Sequence, residues 1–226
     1  MTVHAQAAPA KVPAVRLKIT EIFHSIQGEG LTAGVPTVFV RLTGCPLRCS
    51  YCDTAYAFTG GEYVELPAIL SRVAAFATSH VTVTGGEPLA QAGCLELLSA
   101  LCDAGHQVSL ETSGALDVAP VDRRVVRVLD LKTPSSGECA RNLYANLDLL
   151  QSGDQVKFVL TDRADYDWAV ETARRYDIAS RACVLFSPAF GLLDAATLAD
   201  WMLADRLPFR LQLQLHKLLW GEVPGR

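Results

Sequence analysis

The sequence predicts an α/β fold, an incomplete, open TIM-like (β/α) barrel of about six parallel strands. Three observations predict it. Short β-rich runs alternate with amphipathic helical runs, the pattern of parallel βαβ units. The chain has 226 residues, fewer than the roughly 250 of a typical complete eightfold barrel. Glycine, hydroxyl and charged residues recur just beyond the apolar runs, where parallel α/β folds build their sites.

The first strand is expected over residues 37–42, T-V-F-V-R-L, and the first helix over 66–77. Strands over 81–84 (V-T-V-T) and 108–111 (V-S-L-E) flank a helix over 89–104. Strands over 126–131 and 156–160 follow, then a helix over 164–176, a strand over 184–186, a helix over 195–203 and a last strand over 209–215. The run T-G-C follows the first strand, T-G-G-E-P the second, E-T-S-G the third and L-K-T-P-S the fourth. S-P-A-F follows the sixth, and L-H-K ends the last. Six separate segments therefore converge on one mouth, which argues for an enzyme independently of any single motif.

Residues 1–16 read as a leader containing prolines and lacking the apolar region of a signal peptide. Residues 17–226 read as one domain, without internal repeats. No apolar stretch reaches the roughly 18–20 residues of a membrane span. A cytoplasmic location is expected. The net charge of −4, a pI near 5.7 and the absence of a Lys/Arg block argue against direct nucleic-acid binding. A small-molecule substrate fits better.

Seven cysteines are present, and Cys94, Cys102, Cys139 and Cys183 are scattered singly, which is no disulfide framework. Cys94 and Cys102 lie in an apolar helical run and read as core. The other three, Cys45, Cys49 and Cys52, form CxxxCxxC in G-C-P-L-R-C-S-Y-C-D-T. Iron–sulfur cubes normally take four cysteines, so three thiolates leave one iron open to a chelating small molecule. A closed zinc site would need a fourth ligand, and no second CxxC exists; His24, His80 and His106 are isolated.

C-P-L-R-C-S-Y-C resembles the cluster motif of the radical S-adenosylmethionine superfamily, and Thr84-Gly85-Gly86-Glu87-Pro88 resembles its GGEP motif. With F-H-S-I-Q-G-E-G ahead of the first strand, C-D-T after the last cysteine and L-Q-L-H-K-L-L-W near the end, the chain resembles the 7-carboxy-7-deazaguanine synthase family from about Lys18 to Trp220. The resemblance implies a radical lyase that turns 6-carboxy-5,6,7,8-tetrahydropterin into 7-carboxy-7-deazaguanine with loss of ammonia, a step of queuosine biosynthesis. It also implies a 4Fe–4S cluster, S-adenosyl-L-methionine, Mg2+, an external electron donor of flavodoxin or ferredoxin type, and a homodimer.

Site residues follow from the same resemblance. Cys45, Cys49 and Cys52 would hold the cluster and Thr54 the magnesium. Tyr51 and Asp53 would border the cofactor, with Gly86, Glu87, Ser113, Asp130, Leu131, Lys132, Ser187, Pro188, Ala189 and Phe190 completing its pocket. Glu87 would accept from the methionyl ammonium. Ile26, Gln27, Gly28 and Glu29 would line the pterin, Arg41 would pair with its carboxylate, and Thr84, Glu111 and His216 would sit nearby. Lys157 is read as a candidate for a structural ion pair. Two alternatives are a glycyl-radical activating enzyme, which leaves Q-G-E-G and L-H-K without a use, and a zinc-stabilised binding module.

Overall fold

The computed structural model describes residues 15–223 and 225. Residues 1–14 of the expected leader lie outside this range, and Arg16 already opens a strand. The strands are β1 (Arg16–Ile26), β2 (Pro36–Leu42), β3 (Glu62–Glu65), β4 (His80–Gly85), β5 (Gln107–Thr112), β6 (Val126–Asp130), β7 (Gln155–Leu160), β8 (Cys183–Pro188) and β9 (Arg210–Leu211). They form one sheet in the order β3-β1-β2-β4-β5-β6-β7-β8-β9. From β2 onward along this order every pairing is parallel, while β1 runs antiparallel to both β2 and β3. Six full parallel strands and the two-residue β9 make the expected open barrel, and β1 and β3 extend its first edge.

The helices are α1 (Leu66–Ala74), α2 (Cys94–Asp103), α3 (Arg163–Arg175), α4 (Ala195–Ala204) and α5 (Leu215–Trp220). Asp162 and Asp194 cap α3 and α4 by accepting from the backbone N–H three residues on, which satisfies one orphan donor of each first turn. The helix expected from residue 89 begins only at Cys94. Residues Pro88–Ala90 instead form a 3-10 turn capped by Glu87, and the Gln91 amide leaves to bond Lys18 O and Thr43 O at 2.9 Å each. The expected last strand shrinks to Arg210–Leu211, and Leu215 starts α5. Three 3-10 segments, not an α-helix, connect β6 to β7.

Strand periodicity of two divides each strand between helix-facing and inward residues. In β2, β4 and β5 the set Val38, Val40, Val81, Val83, Val108 and Leu110 packs with Leu97, Leu98 and Leu101 of α2. In β6–β8 the set Leu129, Val156, Phe158 and Phe186 packs with Tyr166 of α3 and Leu198 of α4. The alternate positions face inward: Arg41, Thr84, Glu111, Asp130 and Lys157 line a cavity together with Phe39, Val128 and Val159, with the Thr82 and Ser109 hydroxyls 2.8 Å apart below it. A closed barrel normally fills this space with branched apolar side chains. Here a cavity lined partly by charged and hydroxyl side chains takes that place.

Candidate active site

The strand ends enclose a cavity of about 470 Å3, and each strand-end run contributes to its wall. The loop after β2 brings in Cys45, Cys49 and Cys52. It is closed by Gly44 N donating to Ala57 O at 2.8 Å, and it is fastened across the sheet. Ser50 N donates to Ser136 O at 3.0 Å, Ser50 Oγ to Ser135 O at 2.7 Å and Arg48 N to Glu138 Oε1 at 2.6 Å. The three thiols are unpaired, partly buried and all on the cavity wall. Burial pushes the Cys45 thiol up and the Cys49 thiol to about 11.

Glycine is required at Gly86, where a Cβ would overlap Gly44 O and crowd the Cys45 side chain. Glu87 N donates to Gly44 O at 2.8 Å, so the T-G-G-E-P turn lies directly on the cysteine loop. Three free thiols on one wall, under backbone that only glycine can bring so close, fit a cluster held by three cysteines. A closed zinc site gathers four ligands round one ion; among the described residues no three His, Cys, Asp or Glu side chains are gathered in that way. Thr54 lines the cavity and its hydroxyl donates to Asp53 Oδ1 at 2.9 Å.

Glu87 lies behind the wall and not in it. Its fully buried carboxylate accepts from Leu89 N (3.0 Å), Thr112 Oγ1 (2.8 Å), Ser113 N (2.7 Å) and Ser113 Oγ (2.6 Å). It thus pins the end of β5 to the T-G-G-E-P turn. Leu131, Ser187 and Pro188 are likewise buried behind the wall. Gly28 also stands back, because a Cβ there would overlap the His216 ring. The cavity gathers the remaining expected residues: Ile26, Gln27, Glu29, Arg41, Tyr51, Asp53, Thr84, Gly86, Glu111, Ser113, Asp130, Lys132, Ala189, Phe190 and His216.

A network of charges crosses the floor. Lys157 Nζ donates to Glu29 Oε2 at 2.7 Å and lies 3.3 Å from Asp130 Oδ2. Lys132 Nζ lies 3.1 Å from Asp130 Oδ1. The Gln214 amide bridges Glu29 Oε1 (2.8 Å) and Asp53 Oδ2 (3.1 Å), and Gln212 Nε2 donates to Glu29 Oε2 at 3.2 Å. Lys217 Nζ is 3.0 Å from Asp53 Oδ2 and 5.1 Å from the Phe190 ring centre. Burial works to raise the Glu29 carboxyl, but the charge and hydrogen bond of Lys157, joined by Gln214, hold it below its ordinary value. Asp53 is held well down in the same way against burial by Lys217, and Asp130 is held down by Lys132 and Lys157. Glu111 goes the other way: burial, reinforced by the Glu29 charge, raises it against the pull of Lys157. Burial lowers His216 and pushes the Tyr51 hydroxyl up to about 12.

Arg41 has a protein partner, Glu21, to which Nε donates at 2.7 Å. Tyr56 donates to the same Glu21 oxygen at 2.8 Å, and the guanidinium lies against the Phe23 and Tyr56 rings. The Gln27 amide is set by Thr82, since Nε2 donates to Thr82 Oγ1 at 3.1 Å while Oε1 accepts from Glu29 N at 3.2 Å. Sequence reasoning missed Glu21, Gln212, Gln214 and Lys217 as site residues and set Lys157 aside for structure. The signal for Lys157 was a charged residue at an inward strand position; for Gln212 and Gln214 it was the alternation F-R-L-Q-L-Q-L.

Fold and site together define a radical S-adenosylmethionine enzyme, and residues 39–137 match the Radical SAM superfamily. The chain is 48% identical over 208 residues to the 7-carboxy-7-deazaguanine synthase of Chlorobaculum tepidum, covering 91% of this chain and 94% of that one. It is 42% identical to that of Koribacter versatilis, covering 90% and 97%. Among solved structures, QueE from Escherichia coli superposes with a TM-score of 0.74 at 23% identity, covering 89% of this chain and 95% of that one. Streptococcus suis SuiB bound to S-adenosylmethionine superposes at 0.56 with 16% identity, covering 76% of this chain and 48% of that one. The chain belongs to the 7-carboxy-7-deazaguanine synthase family.

Proposed function

We propose that the chain converts 6-carboxy-5,6,7,8-tetrahydropterin to 7-carboxy-7-deazaguanine with loss of ammonia, as a step of queuosine biosynthesis. One observation carries this reading: a single cavity is lined both by the three thiols of the cysteine loop and by Gln27, Glu29 and Arg41. When bound, the cluster and S-adenosylmethionine supply one-electron cleavage of a carbon–sulfur bond and a carbon radical able to take hydrogen.

The chain's own residues bind and orient. Arg41 is fixed through Nε, which keeps its terminal nitrogens for the forked recognition of a substrate carboxylate. Glu29, held ionised, accepts from the donor-rich edge of the pterin, beside Ile26 and the Gln27 amide. Glu111 keeps its proton to higher pH than an exposed glutamate, and Thr84 Oγ1 donates to it at 2.9 Å; the pair can donate or accept at the substrate, with His216 beside them. Thr54 supplies a hydroxyl oxygen for Mg2+, a hard cation that takes oxygen ligands. Tyr51, Asp53, Gly86, Ser113, Asp130, Lys132, Ala189 and Phe190 form the cofactor end. Glu87 acts there by holding Ser113 and Thr112, and Leu131, Ser187 and Pro188 by backing the wall.

An external flavodoxin- or ferredoxin-type protein supplies the electron. The open edge at β9 and the exposed Leu211, Leu213, Leu218 and Leu219 support a homodimer. Seven unpaired cysteines support the reducing cytoplasm; no helix among the described residues is long and apolar enough to cross a membrane. The test is anaerobic reconstitution followed by reductant, S-adenosylmethionine and 6-carboxytetrahydropterin. Both 5′-deoxyadenosine and 7-carboxy-7-deazaguanine are expected. Deoxyadenosine without the deazaguanine overturns the substrate and leaves the superfamily in place.

A further inference from the structure

We propose that Lys157 is the positioning residue of this site: its single ammonium fixes the charge and aim of Glu29 and, through Asp130, ties the substrate-reading turn to the cofactor end of the cavity. The inference rests on the pterin reading for what Glu29 touches, and adds what keeps Glu29 able to touch it.

Lys157 stands in the middle of β7, opposite Asp130 of β6, at an inward position. A buried ammonium there is costly unless it is paired. Its two partners belong to different parts of the site, Glu29 on the turn after β1 at 2.7 Å and Asp130 on the sheet at 3.3 Å. Glu29 is surrounded mostly by like charge. Asp53 of the cysteine loop, Glu111 of β5 and Asp130 of β6 line the same cavity, while Arg41 of β2 is engaged by Glu21 and Lys217 of α5 by Asp53. His216 faces it with a ring that burial makes harder to charge. Among the described residues Lys157 is the cation in contact with Glu29.

Remove that ammonium, and burial together with the Asp53 charge favours protonated Glu29. A protonated Glu29 presents an O–H where the pterin edge offers donors, so recognition is lost at the oxygen that should accept. The side chain would also lose one of the bonds that set its direction. A lysine that only stitches β6 to β7 would have neither effect.

The first test needs no ligand. The carboxyl carbon of Glu29, assigned by its disappearance in Glu29→Gln, is followed by 13C NMR against pH in the wild type, Lys157→Met and Lys157→Arg. In the wild type and Lys157→Arg it should stay ionised down to the acid limit of the fold. In Lys157→Met it should titrate within the folded range, and an unmoved titration there overturns the inference. If Lys157→Met fails to fold, Lys157→Gln, which keeps a polar head without the charge, takes its place.

The second test is binding of 6-carboxypterin to the anaerobically reconstituted enzyme with S-adenosylmethionine, read from pterin fluorescence from about pH 5.5 to about 8. Lys157→Met should bind about 10- to 100-fold more weakly, and the loss should deepen as pH falls. Lys157→Arg should stay near the wild type, and Glu29→Gln/Lys157→Met should be no weaker than Glu29→Gln. A loss flat with pH, or additive in the double variant, overturns the inference. A wild type that ignores 6-carboxypterin overturns the pterin reading, and the titration of Glu29 still decides the role of Lys157.

Discussion

Strands β6 and β7 carry buried ion pairs at both ends, and the two ends are built differently. At the end away from the cavity, Arg127 meets Asp154 just before β7, with their side chains 5% and 3% exposed. Asp154 Oδ1 accepts from Arg127 N at 2.8 Å, and Oδ2 from Arg127 Nε at 3.0 Å and Gln151 N at 2.8 Å. All of these partners are protein groups, although Arg127 Nη2, 2.8 Å from Asp154 Oδ2, donates no hydrogen bond. At the cavity end, Asp130 Oδ1 accepts no hydrogen bond although Lys132 Nζ is 3.1 Å away. Lys157 is divided between two carboxylates there, and Glu111 is pushed toward its neutral form. A solvent-excluded ion pair holds the base of the barrel, while at the mouth the charged side chains line a cavity open to a ligand. Barrels commonly divide their two faces in this way, stability at one and chemistry at the other.

The division breaks first, and most heavily, at the cluster. Cys49→Ala should abolish both 5′-deoxyadenosine and deazaguanine formation, because two thiolates cannot hold the cube. The apoprotein's thermal unfolding should scarcely change, since the Cys49 thiol makes no hydrogen bond and is only partly buried. A large loss of stability in the cluster-free variant would show that the cavity end also carries the fold. Iron and sulfide analysis, product chromatography and calorimetry read the three quantities separately.

Asp154→Ala should do the reverse. Leaving Arg127 buried and unpaired costs about 3–5 kcal/mol of stability, measurable by denaturant titration, while the folded fraction keeps its kcat. Replacing both partners by apolar residues, Arg127→Met with Asp154→Leu, should recover only part of that loss: the desolvation of both charges disappears, but Arg127 N and Gln151 N lose the carboxylate that accepts from them. If the single variant instead lost activity without losing stability, the two ends would be coupled and the comparison would fail.

Much of this arrangement could be read from the residues. The strands β2 and β4–β8 showed themselves as apolar runs, and the cysteine, T-G-G-E-P and L-H-K runs fell on the mouth that the sheet builds. The edge did not show. β1 holds Leu17 and Ile19 in the core, but a register shift between Ile19 and Glu21 changes the parity of its pattern. An alternation broken in that way does not look like an eleven-residue strand. Charge pairing was also hidden, for a different reason. Lys157 and Glu29 are 128 positions apart, and nothing local to either says that they meet. Glu87 shows the converse limit: its motif was plain, but its carboxylate turned out to face Thr112 and Ser113 and not the cavity.

Glu111 offers the finest test, a change of slope. Its carboxyl is raised in the folded protein, first by burial and then by Glu29, so the folded state holds this proton more tightly than the unfolded chain does. Stability therefore falls as pH rises from the ordinary glutamate value of about 4.3 up to the raised value, and is level beyond it. Glu29 and Asp130, held down by their lysines, contribute with the opposite sign: their stabilisation is present at neutral pH and is lost on acidification. Glu111→Gln removes only the first contribution. Its stability relative to the wild type should grow with pH across that window and then stay constant, with the acid-side loss unchanged. At the far end, Asp154→Ala should shift the whole stability curve and leave the Glu111 slope between the same two pH limits. Should Glu111→Gln instead lower stability equally at every pH, the Thr84–Glu111 hydrogen bond would be holding the fold, and the cavity end would resemble the base.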